Sequence, residues 1–258
     1  MIEAVLFDLG DTLLDFNPLP RRELFHSAAQ HTYAALKAQG CKLPEFSKYY
    51  SMHIWAVRWA YLGATLRGRE VDSFTALQKW CRKNDYPSDD EAVREYIWNW
   101  YQPIIPRSTV APDVAPALEH LQNAGLKLAL VSNTLLPGCV LDRHLEMVGL
   151  KTVFPIRIYS SEVGYRKPKP IIFKAALDAL DLPPTSCVFV GDMVATDIKG
   201  AHRMGMTTIL RLTPKKQDIH KADHHISRIA ELPSLIQQLR GDVYSTAGHS
   251  LAANPLSP

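Results

Sequence analysis

The chain contains 258 residues, of which 47% are hydrophobic and 21% are charged, and its formal net charge is +3. This composition is ordinary for a globular protein and leaves room for one large domain, or for a core with a smaller domain. The weak positive charge and the absence of a long Lys/Arg block argue against a nucleic-acid-binding protein.

The first predicted element is a short apolar strand over residues 4–9, which ends at a Gly-Asp turn. Such a run is typical of a strand buried in a parallel sheet. Four similar runs follow much later in the chain, at residues 126–131, 156–160, 188–190 and 207–210. Helical patterns lie between them, one over residues 112–125 and one that begins at Pro170. This alternation predicts an α/β fold with a doubly wound parallel sheet.

Residues 16–107 interrupt the alternation. The segment is rich in aromatic residues and helix formers, contains all five tryptophans, and shows no convincing buried strand. We predict a mainly helical domain inserted after the first strand, with proline-rich hinges on either side of it. The predicted domains are a core at 1–15 and 108–240, the insertion at 16–107 and a flexible tail at 241–258.

Trp55 and Trp59 are four residues apart on one predicted helix face, and we interpret them as the core of a small bundle rather than as substrate contacts. Some basic side chains of the insertion are instead expected to reach the substrate, and the candidates are Arg21, Arg22, His26, Arg58, Arg67 and Arg69. His224 and His225 are interpreted as a strand end and loop, because no acidic partner completes a metal site.

The four cysteines form no CxxC pair, and we interpret them as isolated thiols in a reducing compartment. The apolar run near Met1 lacks a basic segment and a cleavage site, so a signal peptide is not indicated. No apolar run is long enough to span a bilayer. We therefore expect a cytoplasmic monomer or homodimer that has a small-molecule substrate, and neither nucleic acid nor a membrane as partner.

Polar side chains follow four of the predicted strands at the point where each strand ends. They are Asp8 after the first strand, Ser132 and Asn133 after the second, Lys167 after the third, and Asp192 and Asp197 after the fourth. In an open parallel sheet, ligands bind outside the carboxyl ends of the strands. We therefore expect these side chains to meet in one cleft.

Together, these side chains suit a metal-dependent phosphoryl transfer. Asp8 and Asp192 would repel each other, and a hard divalent cation such as Mg²⁺ removes that repulsion and suits oxygen ligands. With the metal bound, Asp8 can stay ionised and attack phosphorus to form an aspartyl phosphate. Lys167 supplies positive charge to the transferring phosphoryl group, while Ser132 and Asn133 supply hydrogen-bond donors.

Four motifs resemble those of the haloacid dehalogenase superfamily, most of whose members are phosphatases. The motifs are Phe7-Asp8-Leu9-Gly10-Asp11-Thr12-Leu13, Ser132-Asn133, Lys167-Pro168-Lys169-Pro170-Ile171-Ile172-Phe173, and Gly191-Asp192 with Asp197, Gly200-Ala201 and Gly205-Met206. The resemblance covers the predicted core and implies a Rossmann-like fold with a helical cap inserted after the first motif. It also implies a Mg²⁺ site made by Asp8, the backbone carbonyl of Gly10, Asp192 and Asp197.

Gly10 departs from the family pattern. Phosphatases of this family usually have an Asp there, which protonates the leaving group and then activates water, and acid–base catalysis contributes about 10²–10⁴-fold in rate. Asp11 and Thr12, which follow Gly10, are candidates for a supporting role. The first hypothesis is a phosphatase acting on a small phosphorylated metabolite. The alternatives are a haloacid dehalogenase or phosphonate-cleaving hydrolase with the same nucleophile, and a non-catalytic binding or regulatory relative.

Overall fold

The structure of the chain, a computed structural model, describes residues 1–17, 20–66, 69–213 and 219–247. The strands in these ranges are β1 Ala4–Phe7, β2 Asp15–Phe16, β3 Ser108–Thr109, β4 Lys127–Ser132, β5 Ile156–Tyr159, β6 Cys187–Gly191, β7 Thr207–Arg211 and β8 His224–Ile226. The α-helices are α1 Arg21–Ala38, α2 Phe46–Leu66, α3 Ser73–Lys83, α4 Asp90–Tyr101, α5 Val114–Asn123, α6 Gly138–Met147, α7 Ser160–Val163, α8 Pro170–Leu180, α9 Lys199–Met204 and α10 Leu232–Ala247. Among the described helices, none is both long and apolar enough to cross a membrane.

Six strands form a parallel sheet in the order β5-β4-β1-β6-β7-β8, which confirms the predicted α/β fold class. The central strand β1 pairs with β4 and β6, and Phe7 lies level with Leu130 on one side and with Val190 on the other. The carboxyl ends of these three strands therefore lie at the same edge of the sheet.

Both faces of the sheet are covered by helices. Alternate residues of β1 face opposite sides, so that Val5 and Phe7 pack with α5, α6 and α10 while Leu6 packs with α8 and α9. Every residue of β1 and of β6 is buried. This two-sided burial explains why these strands are apolar without alternation in the sequence.

The insertion between β2 and β3 is helical, as predicted, and contains α1, α2, α3 and α4. Asp72 and Asp89 cap α3 and α4, because their side chains accept hydrogen bonds from Thr75 N at 2.9 Å and Ala92 N at 3.0 Å. The small antiparallel pair of β2 with β3 closes the base of the insertion. The sequence does not predict this pair, since two-residue strands leave no apolar run or alternation.

The interpretation of the two tryptophans as bundle core is wrong. Trp55 and Trp59 are 58% and 64% exposed, respectively. The inward face of α2 instead carries Tyr49 and His53, which pack against aromatic residues of α3 and α4. Two aromatic residues spaced by four must share a face, but spacing alone does not say whether that face is inward.

Two further details differ from the sequence interpretation. His224 and His225 belong to β8, a sixth strand of the sheet, and this strand is short and buries only Ile226 fully. The predicted tail begins inside α10, which continues to Ala247. Residues 248–258 of that tail lie outside the described residues.

Candidate active site

One cleft lies at the carboxyl edge of the sheet and has a volume of about 610 Å³. Asp8 follows β1, Ser132 ends β4, and Asp192 follows β6, so the sheet brings these three residues to the cleft. Loops after β4, β5 and β6 bring the remaining predicted residues, which are Asn133, Lys167 and Asp197. The predicted residues therefore converge as expected from the strand ends.

Lys167 lines the cleft and is only 3% exposed. Its Nζ donates to Asp8 Oδ1 at 2.6 Å and to Val131 O at 2.8 Å, and lies 2.9 Å from Asp197 Oδ1. The Asn133 side chain holds the Lys167 backbone, because Lys167 N donates to Asn133 Oδ1 at 2.8 Å and Asn133 Nδ2 donates to Lys167 O at 3.2 Å. Asn133 therefore positions Lys167, a contact that the sequence did not reveal.

Asp197 is held by the turn that carries it. Residues Val194–Ile198 form a π-helical turn, and Met193 N donates to Asp197 Oδ2 at 2.9 Å. Gly191 allows the close approach of Asp197, since a Cβ at residue 191 would lie 2.5 Å from Asp197 Cβ. This contact gives a packing reason for the glycine of the Gly191-Asp192 motif.

The three aspartates form a cluster that fits a divalent cation. Asp8, Asp192 and Asp197 are buried, and each offers a carboxylate oxygen within 4.8 Å of the others. When all three carboxylates are ionised, their three negative charges and the one positive charge of Lys167 leave two negative charges. Buried charge of this size is unfavourable without a counterion, and a carboxylate set of this kind suits Mg²⁺.

Burial raises the pKa of Asp8 to about 7, against the opposing effect of Lys167 and with a further rise from Asp197. Burial lowers the pKa of Lys167, but Asp197 and Asp8 raise it by more, so that it lies above its ordinary value. Lys167 is therefore an ammonium ion at neutral pH. A cation bound beside Asp8 would favour the carboxylate form that a nucleophile requires.

The three residues that follow Leu9 differ in their placement. Gly10 lines the cleft, and a Cβ there would lie 3.4 Å from the Phe16 ring, at ordinary contact distance. Asp11 also lines the cleft, but its Oδ1 accepts a hydrogen bond from Phe16 N at 3.3 Å within its own turn. Thr12 is fully buried and does not line the cleft.

The basic residues expected to reach the substrate do not line the cleft in the described part of the insertion. His26 packs against Phe46 and Tyr50, Arg58 lies over the Trp55 ring, and Arg69 lies over the Tyr165 ring. Arg21 and Arg22 are exposed outside the cleft, and Arg67 lies outside the described residues.

Arg107 and Arg166 line the cleft instead, and the sequence interpretation missed both. Arg166 directly precedes Lys167, and Arg107 ends the 3-10 helix Gln102–Arg107 that follows α4. In the sequence, only the position of Arg166 beside a motif and of Arg107 beside a predicted hinge indicated that they could line the cleft. The insertion also contributes apolar walls to the cleft through Leu24, Tyr101 and Ile104.

Glu70 connects the insertion with the loop that carries Lys167. Its side chain is 2% exposed, and Oε2 accepts a hydrogen bond from Ser160 Oγ at 2.7 Å and lies 3.3 Å from Arg166 Nε. Its backbone N donates to Gly164 O at 2.9 Å. The insertion is thereby tied to the residues that precede Lys167 in the chain.

Comparisons with known proteins identify the family of the chain. A family model described as haloacid dehalogenase-like hydrolase matches residues 2–205. A relative named ribulose-1,5-bisphosphate 5-phosphatase, from Halopiger xanaduensis, is 26% identical over 246 residues, which cover 92% of this chain and 100% of the relative. A relative named glyceraldehyde 3-phosphate phosphatase, from Methanopyrus kandleri, is 27% identical over 250 residues, which cover 94% of this chain and 100% of the relative.

A solved structure shows the shared fold. The 2-haloacid dehalogenase from Pseudomonas syringae pv. Tomato DC3000 matches with a TM-score of 0.65 at 22% identity, over 93% of this chain and 100% of that chain. The family match covers well over half of this chain, including all four motifs up to Gly205. The chain therefore belongs to the haloacid dehalogenase-like hydrolase family and is an enzyme of the hydrolase class.

Proposed function

We propose that this hydrolase is a Mg²⁺-dependent phosphatase, which removes the phosphoryl group of a small metabolite through an aspartyl phosphate on Asp8. The observation that carries the proposal is the buried ion pair of Lys167 with Asp8 at 2.6 Å, inside a cluster of three carboxylates. The two relatives named as phosphatases support the same class of reaction.

Asp8 acts as the nucleophile. One of its carboxylate oxygens attacks phosphorus while the bond from phosphorus to the leaving oxygen breaks, which leaves an aspartyl phosphate. Water then attacks the same phosphorus and the bond from phosphorus to the Asp8 oxygen breaks, which releases inorganic phosphate and restores the carboxylate. With Asp8, Asp192 and the Gly10 carbonyl as ligands and Asp197 beside them, bound Mg²⁺ would neutralise the carboxylates and the phosphoryl oxygens.

Lys167 meets the negative charge of the phosphoryl oxygens, because its ammonium group already lies against the nucleophile. The Ser132 hydroxyl lies in the same cleft and can donate to the phosphoryl group. Asp197 contacts Lys167 through Oδ1 and Met193 N through Oδ2, so we assign it mainly to holding these groups in place.

Gly10 bears on the choice of substrate. Because no carboxyl group is present two residues after Asp8, this position does not supply a proton to the leaving oxygen. We expect aryl and acyl phosphates, which have good leaving groups, to be hydrolysed faster than alkyl phosphates. Steady-state rates for matched aryl and alkyl phosphates measure this, and equal rates would contradict the expectation.

The test of the proposed function is a phosphate-release screen over a panel of metabolites, with and without Mg²⁺, using Asp8→Asn as the blank. The matched control is Asp178→Asn, since Asp178 is 62% exposed and pairs only with Lys174 on α8 among the described residues. We expect phosphate release that requires Mg²⁺, disappears in Asp8→Asn and is retained in Asp178→Asn. Halide release from 2-haloacids that survives chelation would instead favour carbon–halogen cleavage, and phosphate release by Asp8→Asn at the wild-type rate would refute a nucleophilic role.

A further inference from the structure

Arg107 is a cation of the cleft that the proposed chemistry does not use. It is half-buried, and its guanidinium forms no hydrogen bond or ion pair with any residue in the described ranges. The other two cations of the cleft are both paired, Lys167 with Asp8 and Asp197, and Arg166 with Glu70. A half-buried charge without a partner is unfavourable, and an anionic ligand group would offset that cost.

The backbone of Arg107 is fixed in place. Its carbonyl accepts a hydrogen bond from Asn17 N at 2.8 Å, and the next residue, Ser108, pairs with Phe16 in the β2–β3 ladder. The guanidinium therefore extends from a held point at the base of the insertion. Because the backbone is held, the guanidinium can reach only the part of the cleft next to the base of the insertion, and its side chain becomes ordered when a ligand group binds.

Charge balance indicates what Arg107 binds. The three aspartates, Lys167 and a divalent cation together are neutral, and they form the place for the transferring phosphoryl group. Arg107 adds a further positive charge from the insertion, which also supplies Leu24 and Ile104 to the lining of the cleft. A guanidinium matches the geometry of a carboxylate or a phosphate through two parallel hydrogen bonds.

We propose that Arg107 binds a second anionic group of the substrate, so that the enzyme prefers phosphorylated acids or bisphosphates over phosphates of uncharged compounds. This inference rests on the proposed function for the place of the first phosphate. The shared chemistry is an anionic group at the far end of a small phosphate ester. A carboxylate and a second phosphate are the two possible sources of that group.

The test measures ligand binding by calorimetry and uses full-length Asp8→Asn protein with Mg²⁺. Because this variant lacks the proposed nucleophile, the affinity is measured without turnover. The ligands are ethyl phosphate, 2-phosphoglycolate and ethylene glycol bisphosphate, which share a two-carbon chain and differ in the second group. We expect one or both of the doubly anionic ligands to bind about tenfold more tightly than ethyl phosphate, the size of one hydrogen bond between charged groups. The tighter of the two identifies the second group.

When Arg107→Gln is added to the Asp8→Asn protein, the preference for doubly anionic ligands should be lost. Arg107→Lys should keep part of that preference. The matched control is Arg82→Gln, which removes an exposed arginine of α3 that lies outside the cleft and should keep the preference. Equal affinity for all three ligands, or no measurable binding of either doubly anionic ligand, would overturn the inference. An equal loss of ethyl phosphate and 2-phosphoglycolate binding in Arg107→Gln would overturn it too, because Arg107 would then contact the transferring phosphate.

The two proposals fail in different ways. If wild-type protein releases phosphate but shows no dependence of affinity on Arg107, the proposed function stands and this inference is wrong. If the Arg107-dependent preference is found but no phosphate is released from any ligand, the second anion site stands and the phosphatase proposal is wrong. In active wild-type protein, Arg107→Gln should raise the KM for 2-phosphoglycolate more than it lowers kcat.

Discussion

Lys167 illustrates how single residues of the site depend on partners that lie far away in the sequence. Its ammonium group contacts Asp8 and Asp197, and its backbone is held by Asn133. Asp197 can approach because Gly191 has no side chain. At the residue scale, Asp8, the proposed nucleophile, is thus surrounded by groups that hold one another, and Gly10 is the position where the family's usual acid is missing.

Gly10→Asp is predicted to raise the turnover of alkyl phosphates relative to aryl phosphates, by up to about 10²-fold. A Cβ at this position would lie at ordinary contact distance from Phe16, and Gly10 lines the cleft, so a side chain there would begin at the cleft wall. The measurement is kcat/KM for matched alkyl and aryl phosphates. Gly10→Asn is the control, since it has the same size and no acid. Equal gains in the two variants would contradict a proton-transfer role.

The helices of the insertion are joined by a buried chain of hydrogen bonds. Trp100 Nε1 donates to His53 Nε2 at 3.0 Å, which leaves His53 Nδ1 to donate to Tyr96 Oη at 3.2 Å. Tyr96 Oη lies 2.6 Å from Tyr49 Oη, and Tyr49 in turn donates to Thr32 Oγ1 at 2.9 Å. At the element scale, this chain links α1, α2 and α4, and it requires a neutral His53.

His53 is therefore predicted to make the insertion sensitive to acid. Burial lowers its pKa to about 4, and the tyrosines facing it, Tyr49 and Tyr96, have raised pKa values and stay neutral. The unfolded chain, with a pKa near 6.5, binds the proton first as the pH falls. The stabilisation is complete above about pH 6.5 and is lost towards pH 4, a loss of about 3 kcal/mol.

Urea denaturation of wild type and His53→Gln over this pH range measures the effect. The glutamine amide can still accept from Trp100 and donate to Tyr96, but it does not titrate. We expect the free energy of unfolding of wild type to fall more steeply than that of the variant. His31→Gln, at an exposed position on α1, is the control. Parallel curves for wild type and His53→Gln would show that His53 is not responsible.

The second prediction at the element scale concerns Glu70. Because its buried carboxylate contacts Ser160 and Arg166, Glu70→Gln should loosen the loop that holds Lys167 and lower kcat by about tenfold. Ser160→Ala should lower kcat in the same direction. Glu146→Gln, which removes an exposed ion pair with Lys151, is the matched control. An unchanged kcat in Glu70→Gln, with the fold checked by its unfolding midpoint, would contradict the coupling.

At the scale of the whole molecule, the parallel sheet brings together segments separated by more than a hundred residues. Asp8 follows β1, and Asp192 follows β6, which pairs directly with β1. The resulting cluster combines three buried carboxylates with one lysine. Because an unfolded chain has no such cluster, the proposed binding of a divalent cation at this site is expected to stabilise the fold.

Mg²⁺ is therefore predicted to raise the unfolding temperature of the chain by several degrees, and chelation should reverse the change. Asp192→Asn should abolish most of this shift, because it removes one of the proposed ligands. The measurement is a thermal unfolding curve with increasing Mg²⁺. The exposed variant Asp178→Asn again serves as the control. A shift of equal size in Asp192→Asn would place the cation elsewhere.

Much of the fold and of the candidate site could be predicted, because the relevant patterns are local. Apolar runs marked the five strands that lie in the middle of the sheet or at its β5 edge, and the residues at their ends converged as expected. The two-residue pair of β2 with β3 could not be predicted, since it depends on contacts between residues nearly a hundred positions apart. Likewise, β8 is too short and too little buried to leave a pattern.

The sequence by itself determined the α/β class, the helical insertion, the family and the set of polar residues at the strand ends, because each is encoded in neighbouring residues. Only the tertiary structure decided which face of α2 is buried, which arginines line the cleft, and that Asn133 and Asp197 hold Lys167. The physical reason is that side-chain direction and charge pairing depend on how the insertion and the loops pack, and residue spacing within one element carries no information about its neighbours.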